Sequence, residues 1–308
     1  MTSFLTCFHP FFHSFLTAQQ SRTTMIYKHK KVLSNRHSER QVTFMEYKIF
    51  IEKWLSEPVS IEQKVEGLIK DMLKAHNRED LYREPIVGFS AADDEQYDKL
   101  KEIIGPWVKN PNELLTEAKS VISYFVPFTK ELANAPKNSS EVSVLWAEAY
   151  VDLNAYFDIV SEAVAELLER LGFVSVKIKA AKTYDPEILQ SMWSHKSAAV
   201  ISGIATFGAN RTAITEKGCG GRYCSIITSA ELKSDKPAIE NKCLYHKNGS
   251  CGLCFKICPA QAFTPQGFDK FACNAELKKN EQLLKQTAGI NAGVCGKCLS
   301  VCPLVYIE

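Results

Sequence analysis

"CGLCFKICPAQAF" (residues 251–263) and "CGKCLSVCPLVYI" (295–307) repeat one pattern: three cysteines at CxxCxxxC spacing, the third followed by proline. The runs supply Cys251, Cys254 and Cys258 with Pro259, and Cys295, Cys298 and Cys302 with Pro303. Three residues upstream of each run, where a fourth thiol would extend the pattern, stand Asn248 and Ala292. Two further cysteines, Cys243 and Cys273, flank the first run. The chain has 11 cysteines, all but Cys7 between Cys219 and Cys302. Concentrated CxxC pairs with no convincing export signal favour metal ligation in a reducing cytoplasm over a disulfide framework.

In bacterial two-cluster ferredoxins, the run CxxCxxCxxxCP gives its first three thiolates to one cube and its proline-flanked fourth to the other. Each run here holds the last three of those positions, so each cube lacks one ligand. Cys243 and Cys273 close the count at eight thiolates for two 4Fe-4S clusters. The expected quartets are Cys243, Cys251, Cys254 and Cys302, and Cys258, Cys273, Cys295 and Cys298. Exchange of Cys258 and Cys302 between cubes places them close enough for fast electron transfer. Two zinc sites would also use eight thiolates, but zinc sites pair CxxC with CxxC and have no need of the proline arm. His246 is an alternative to Cys243, since imidazole ligates iron in some clusters. Cys219 and Cys224, in "GCGGRYCS", read as small packed residues, with an extra metal pair or redox couple as the alternative.

Among its 308 residues the chain is 45% apolar and 23% charged with a formal net charge of +2. These values describe a globular protein with a core and exclude a dense basic stripe for duplex binding. Residues 1–16 are apolar but lack a positive n-region and a small-residue cleavage site, and no stretch is long and apolar enough for a membrane helix. We read residues 1–44 as a poorly structured or spurious extension, since amphipathic patterning begins near Met45.

Residues 46–76 read as two helices, the second opened by Pro58. "PIVGFS" (85–90) and "SVISYFVPF" (120–128) read as strands around a helix at "DEQYDKLKEII", the order of an α/β unit. A polar loop over 134–140 precedes a helix from about 143 to 171 that stops at Gly172. "FVSVKIKA" (173–180) alternates as a half-buried strand. The polar, proline-bearing "SDKPAIENK" (234–242) sets the expected boundary between an α/β domain, 45–235, and the cysteine module, 236–308. Asp185, beside Pro186, reads as a helix N-cap.

The order of a GxxxxGxN segment ("GIATFGAN", 203–210), a "T"/"KG" loop, the β-rich "SIITSAEL" and the two cysteine runs around a lone cysteine resembles the epoxyqueuosine reductase family, relatives of the corrinoid reductive dehalogenases. The likeness spans roughly residues 80–308. Where the family commonly reads "GLGWIGKN", Gly203, Gly208 and Asn210 match, and Ala205, Thr206 and Ala209 do not. "WSHK" (193–196) and "GCGGRY" mark a divergent branch. The resemblance implies an α+β protein: a nitroreductase-like α/β domain that binds cobalamin, followed by a ferredoxin-like domain whose two 4Fe-4S clusters feed it electrons. It implies an external low-potential donor such as ferredoxin or flavodoxin, and tRNA or a partner enzyme as a macromolecular partner. By the same likeness Gly203, Gly208 and Asn210 are candidate cofactor-binding residues. Asp185 is the nearest match to the family's aspartate and a candidate proton donor, with His195 a second.

The small residues at 203–209 have a physical reading of their own: they let backbone approach a flat ligand, or simply permit a tight turn. A dinucleotide fingerprint is absent. The function expected is therefore an iron-sulfur oxidoreductase. The alternative is a ferredoxin-like electron-transfer or reductive-activation protein without its own substrate. A cluster-propped RNA-binding module ranks last for want of a basic-aromatic stripe.

Overall fold

The computed structural model describes residues 46–178, 184–233, 240–264 and 267–308. Residues 47–308 group into one compact unit. The expected extension at 1–44 and most of the "SDKPAIENK" boundary lie outside the described residues.

The core is a four-stranded antiparallel sheet built from β1 (Ile86–Ala91), β2 (Ser120–Pro127), β3 (Ser175–Lys177) and a later strand, β8. Between β3 and β8 come three features. A tight hairpin pairs β4 (Tyr184–Asp185) with β5 (Gln190–Ser191), a two-turn helix covers His195–Ile201, and a second hairpin pairs β6 (Thr206–Phe207) with β7 (Ala213–Ile214). Strand β8 spans Gly221–Thr228 and completes the order β1-β2-β8-β3. The strand, helix, strand order read from the sequence is present, with Glu95–Ile103 as the helix, but β1 and β2 pair antiparallel rather than as a parallel crossover.

Every residue of β2 is buried, which explains its unbroken apolar run: a central strand covered on both faces has no reason to alternate. One face carries Ile122 and Tyr124 against the long Val144–Arg170 helix, where the Tyr124 and Phe157 rings meet edge-on at 5.3 Å. The other face carries Val121 and Phe125. Val121 packs with Trp193 and Ala198, and Phe125 with Ala199 and Ile204.

Three local expectations are corrected. The helix expected to open at Pro58 begins at Ile61, because Ser60 and Gln63 form a reciprocal capping box that satisfies the first free N–H groups. The loop expected over 134–140 is largely helix, Lys130–Asn138, despite Pro136; Leu132, Ala133 and Pro136 are buried, and that packing overrides the local breaker. Asp185 caps no helix. It ends β4, and its Oδ1 accepts from the backbone N–H groups of Glu187 (2.9 Å) and Ile188 (3.2 Å), closing the hairpin.

The cysteine-bearing segment has short helices, Leu244–Asn248, Leu253–Lys256 and Lys297–Ser300, and one long one, Lys270–Thr287. A small hairpin joins β9 (Phe263–Thr264) to β10 (Gly267–Phe268). The segment is strapped to the sheet by backbone bonds. Cys219 N–H donates to Leu304 O (2.9 Å), Gly220 N–H to Val305 O (2.7 Å), and Ile307 N–H to Lys217 O (3.2 Å). A Cβ on Gly220 would stand 2.6 Å from Val305 O, so the two backbones approach at a distance that only glycine allows.

Candidate cluster-binding site

Cys243, Cys251, Cys254 and Cys302 line one cavity of about 30 Å³ together with Leu244, Leu253, Pro303 and Leu304. The four come from three separate segments. Cys243 is held by Asn241, whose side-chain oxygen accepts from the Cys243 N–H (2.9 Å) and whose amide donates to Phe207 O (3.0 Å). Cys251 precedes and Cys254 lies within the Leu253–Lys256 turn, and Cys302 follows the Lys297–Ser300 turn. His246 does not line the cavity; its Nδ1 lies 3.3 Å from the Asn241 amide.

Electrostatics group the other quartet. Burial pushes the Cys298 thiol up to about 12, reinforced by neighbouring Cys295, Cys258 and Cys273. Burial, then Cys258 and Cys295, raises Cys273, and burial, with Glu276 and Cys258 adding to it, raises Cys295. In the first quartet, burial and then Cys302 and Cys251 lift Cys254 to about 11. Thiols that mutually oppose ionisation need a cationic centre to become thiolates together, and a coordinated metal supplies one. All ten described cysteines are free thiols.

Four sulfurs around a cavity with an apolar lining fit the ligand demand of a 4Fe-4S cluster. Among the described residues no three His, Cys, Asp or Glu side chains converge as tightly as a single metal ion requires. A cube binds its thiolates at four separate irons.

The other candidate residues occupy three settings. Gly208 and Asn210 line the cavity of the first quartet, and the Asn210 amide also donates to Cys298 O (3.0 Å), touching the segment of the second quartet. Gly203, with φ of 73°, ends the His195–Ile201 helix. There the left-handed conformation is the role of a helix-terminating glycine. Asp185 is exposed on a groove of about 590 Å³ formed with Trp107, Ile188 and Met192. His195 stands at the helix start with Nδ1 2.7 Å from Ser225 Oγ, an oxygen that also accepts from the Trp193 indole N–H (2.9 Å). Burial, then Arg222, draws His195 down to about 4, so its imidazole is neutral near pH 7.

One residue has a part in the site that the sequence reading did not give it: Cys219 is buried as expected of a packed thiol, but it also draws the Cys302 thiol below its ordinary value. Arg222, near it in sequence, lies inside β8 with no carboxylate partner among the described residues. An arginine in a strand otherwise bound for the core was the available signal.

No family model matches the chain. It is 29% identical over 206 residues to an epoxyqueuosine reductase of Bacillus anthracis, covering 63% of this chain and 50% of that protein. The chain resembles the epoxyqueuosine reductases. It spans about half the length of the curated relatives it matches. Among solved structures, a catabolic reductive dehalogenase aligns with a TM-score of 0.51 at 13% identity, over 86% of this chain and 37% of the other. An epoxyqueuosine reductase from Bacillus subtilis aligns with a TM-score of 0.48 at 20% identity, over 78% and 66%. The resemblance read from the cysteine runs and the "GIATFGAN" segment is thereby borne out, and so is a mixed helix and sheet fold. No described helix is long and apolar enough to cross a membrane.

Proposed function

We propose that the chain is an iron-sulfur oxidoreductase of the epoxyqueuosine reductase type. In this reading residues 236–308 form a ferredoxin-like domain with two 4Fe-4S clusters, and residues 45–235 a nitroreductase-like domain that binds the electron acceptor, with 1–44 an extension. One cluster is held by Cys243, Cys251, Cys254 and Cys302, the other by Cys258, Cys273, Cys295 and Cys298. A low-potential donor such as ferredoxin or flavodoxin in the cytoplasm would supply the electrons, and the 45–235 domain would hold a cobalamin as their acceptor. A bound cobalamin would supply a strongly reducing metal centre for a small organic or tRNA-borne substrate.

The observation that carries this reading is the convergence of Cys243, Cys251, Cys254 and Cys302, remote in sequence, on one apolar cavity. Leu244, Leu253 and Leu304 give it an apolar wall, and the polarity and solvent exposure around an iron-sulfur centre set its reduction potential. Asn210 ties the "GIATFGAN" segment to the backbone of Cys298 and so holds the acceptor side against the second quartet. Gly203, Gly208 and Asn210 remain the cofactor-facing candidates of this reading. Proton delivery falls to Asp185 or His195. A neutral His195 bonded to Ser225 is suited to positioning near pH 7, which leaves Asp185, exposed on its groove, as the stronger acid candidate.

Anaerobic purification followed by iron and sulfide analysis and cobalamin titration tests the proposal. It expects about eight irons per chain from two cubes and stoichiometric corrinoid binding. Iron without corrinoid binding leaves an electron-transfer protein with no substrate of its own. Absence of iron removes both readings.

A further inference from the structure

The two cysteine runs share a local pattern but not a setting. The second run packs inward. A Cβ on Gly296 would stand 2.8 Å from Pro136 and from the Trp146 indole, Lys297 Nζ donates to Ser139 O, and Ser300 is wholly buried. The matching positions of the first run are Gly252, Leu253 and Lys256. A Cβ on Gly252 would meet nothing nearer than Phe255, in its own turn, at 3.8 Å. Leu253, Lys256 and Ile257 are exposed. One copy of the motif is covered and the other is bare.

The bare surface continues across the Cys243 quartet. Leu244 and Tyr245 line the same cavity as Leu253, and the Tyr245 ring meets Phe255 edge-on at 4.9 Å. Leu244, Tyr245, Leu253 and Ile257 are each at least 40% exposed. The first three therefore reach the cavity and solvent at once, with Ile257 one helical turn beyond Leu253. The surroundings are cationic. Residues 240–264 hold Lys242, Lys247 and Lys256 against a single carboxylate, Glu240, which pairs with Lys247 at 2.7 Å. Exposed Arg211 adds a cation from the loop that brings Gly208 and Asn210 to the cavity. An apolar centre ringed by one sign of charge is the composition of a docking surface: the centre supplies contact and the rim steers the partner.

We propose that Leu244, Tyr245, Leu253 and Ile257, with Lys242, Lys247 and Lys256 around them, form the docking face for an acidic electron-carrier protein. The Cys243 quartet is then the outer of the two and the Cys298 quartet the inner. This inference rests on the oxidoreductase reading and deepens it, by naming where the donor binds and which charge it carries. Carboxylates around the carrier's redox centre match the lysine rim, and a charge-steered complex over a small apolar centre suits a partner that leaves after each encounter.

Titration calorimetry on the anaerobically purified full chain, with its iron content measured, tests this with an acidic ferredoxin and an acidic flavodoxin as separate probes. Wild type is expected to bind at least one of them, less tightly as salt is raised. Lys256→Glu and Ile257→Asn should each weaken that binding about tenfold at unchanged iron content. Lys99→Glu, the same charge reversal on the Glu95–Ile103 helix, should leave it unchanged. Carbodiimide coupling of the complex should join carrier carboxylates to Lys242, Lys247 or Lys256. Binding of neither carrier, equal binding by wild type and Lys256→Glu, an equal loss in Lys99→Glu, or coupling only at other lysines overturns the proposal. So does a wild-type dimer in sedimentation that Ile257→Asn dissolves, since a second copy would then cover the face. Any of these results in an iron-loaded chain removes the docking face and leaves the oxidoreductase reading standing. Absence of iron removes both.

Discussion

The sheet and the cysteine segment are stabilised in opposite ways. In the sheet, Val121, Ile122, Tyr124, Phe125 and Val126 are wholly buried, flanked by Leu153, Val160 and Val164 of the long helix. That burial suffices to hold a fold, at about 25 cal/mol for each Å² of apolar surface removed from water. In the cysteine segment the large apolar residues Leu244, Tyr245, Leu253, Ile257 and Phe271 are exposed, and few residues such as Leu284 and Val294 are buried. Under the proposed function, a segment with so thin a core takes its stability from ligation. The contrast then sets a part that folds by exclusion of water beside a part whose order depends on the metal it would bind.

The comparison breaks most visibly when iron is removed. Chelation of the holoprotein, or Cys298→Ser, should abolish cluster absorbance and open residues 240–308 to limited proteolysis, while the far-ultraviolet circular dichroism of the sheet and long helix persists. Joint unfolding of both parts would erase the distinction. The converse experiment is Phe125→Ala, expected to cost about 3–5 kcal/mol in chemical denaturation with iron content preserved under native conditions.

Acid sharpens the comparison next. His195 has its folded-state pKa lowered to about 4 from 6.5, so between those values the unfolded chain binds the proton and the native chain does not. Stability contributed by this residue is present above pH 6.5 and is lost as pH falls toward 4, with a slope approaching about 1.4 kcal/mol per pH unit. His195→Asn should flatten that part of the profile for the sheet transition and leave cluster loss unchanged. The smallest effect is expected from Gly220→Ala. Its new methyl meets Val305 O and should cost about 1–3 kcal/mol by forcing the strap apart, read as earlier release of the cysteine segment in thermal proteolysis.

Residues declared themselves in the sequence where their chemistry demanded a fixed spacing. The CxxCxxxCP runs and the two lone cysteines stood out because four-sulfur ligation restricts residue type and offset together, and of the quartets read from them Cys243, Cys251, Cys254 and Cys302 share one cavity. The long helix was legible from its apolar stripe and from the glycine that follows it. Antiparallel pairing of β1 and β2 was not, since a helix between two apolar strands suits either direction. The Lys130–Asn138 helix was hidden by Pro136, whose local cost is overridden by burial that no window of sequence displays. Asp185 looked like a helix cap because the same side-chain acceptor geometry closes a hairpin. Arg222 and Cys219 acquire meaning only through partners remote in sequence, Tyr150 and Cys302.

The backbone strap between Lys217–Gly220 and Leu304–Ile307 gives assembly a direction. In the proposed ligand set Cys302 crosses from its own run to the other quartet, and the strap begins two residues after it. The loop before β8 therefore acts as a jig: until the sheet has formed, the last ligand of the Cys243 quartet has no template to set its position. Under the proposed function, maturation runs from folded scaffold to loaded metal, and an iron donor meets a chain whose three local sulfurs wait on the arrival of a fourth.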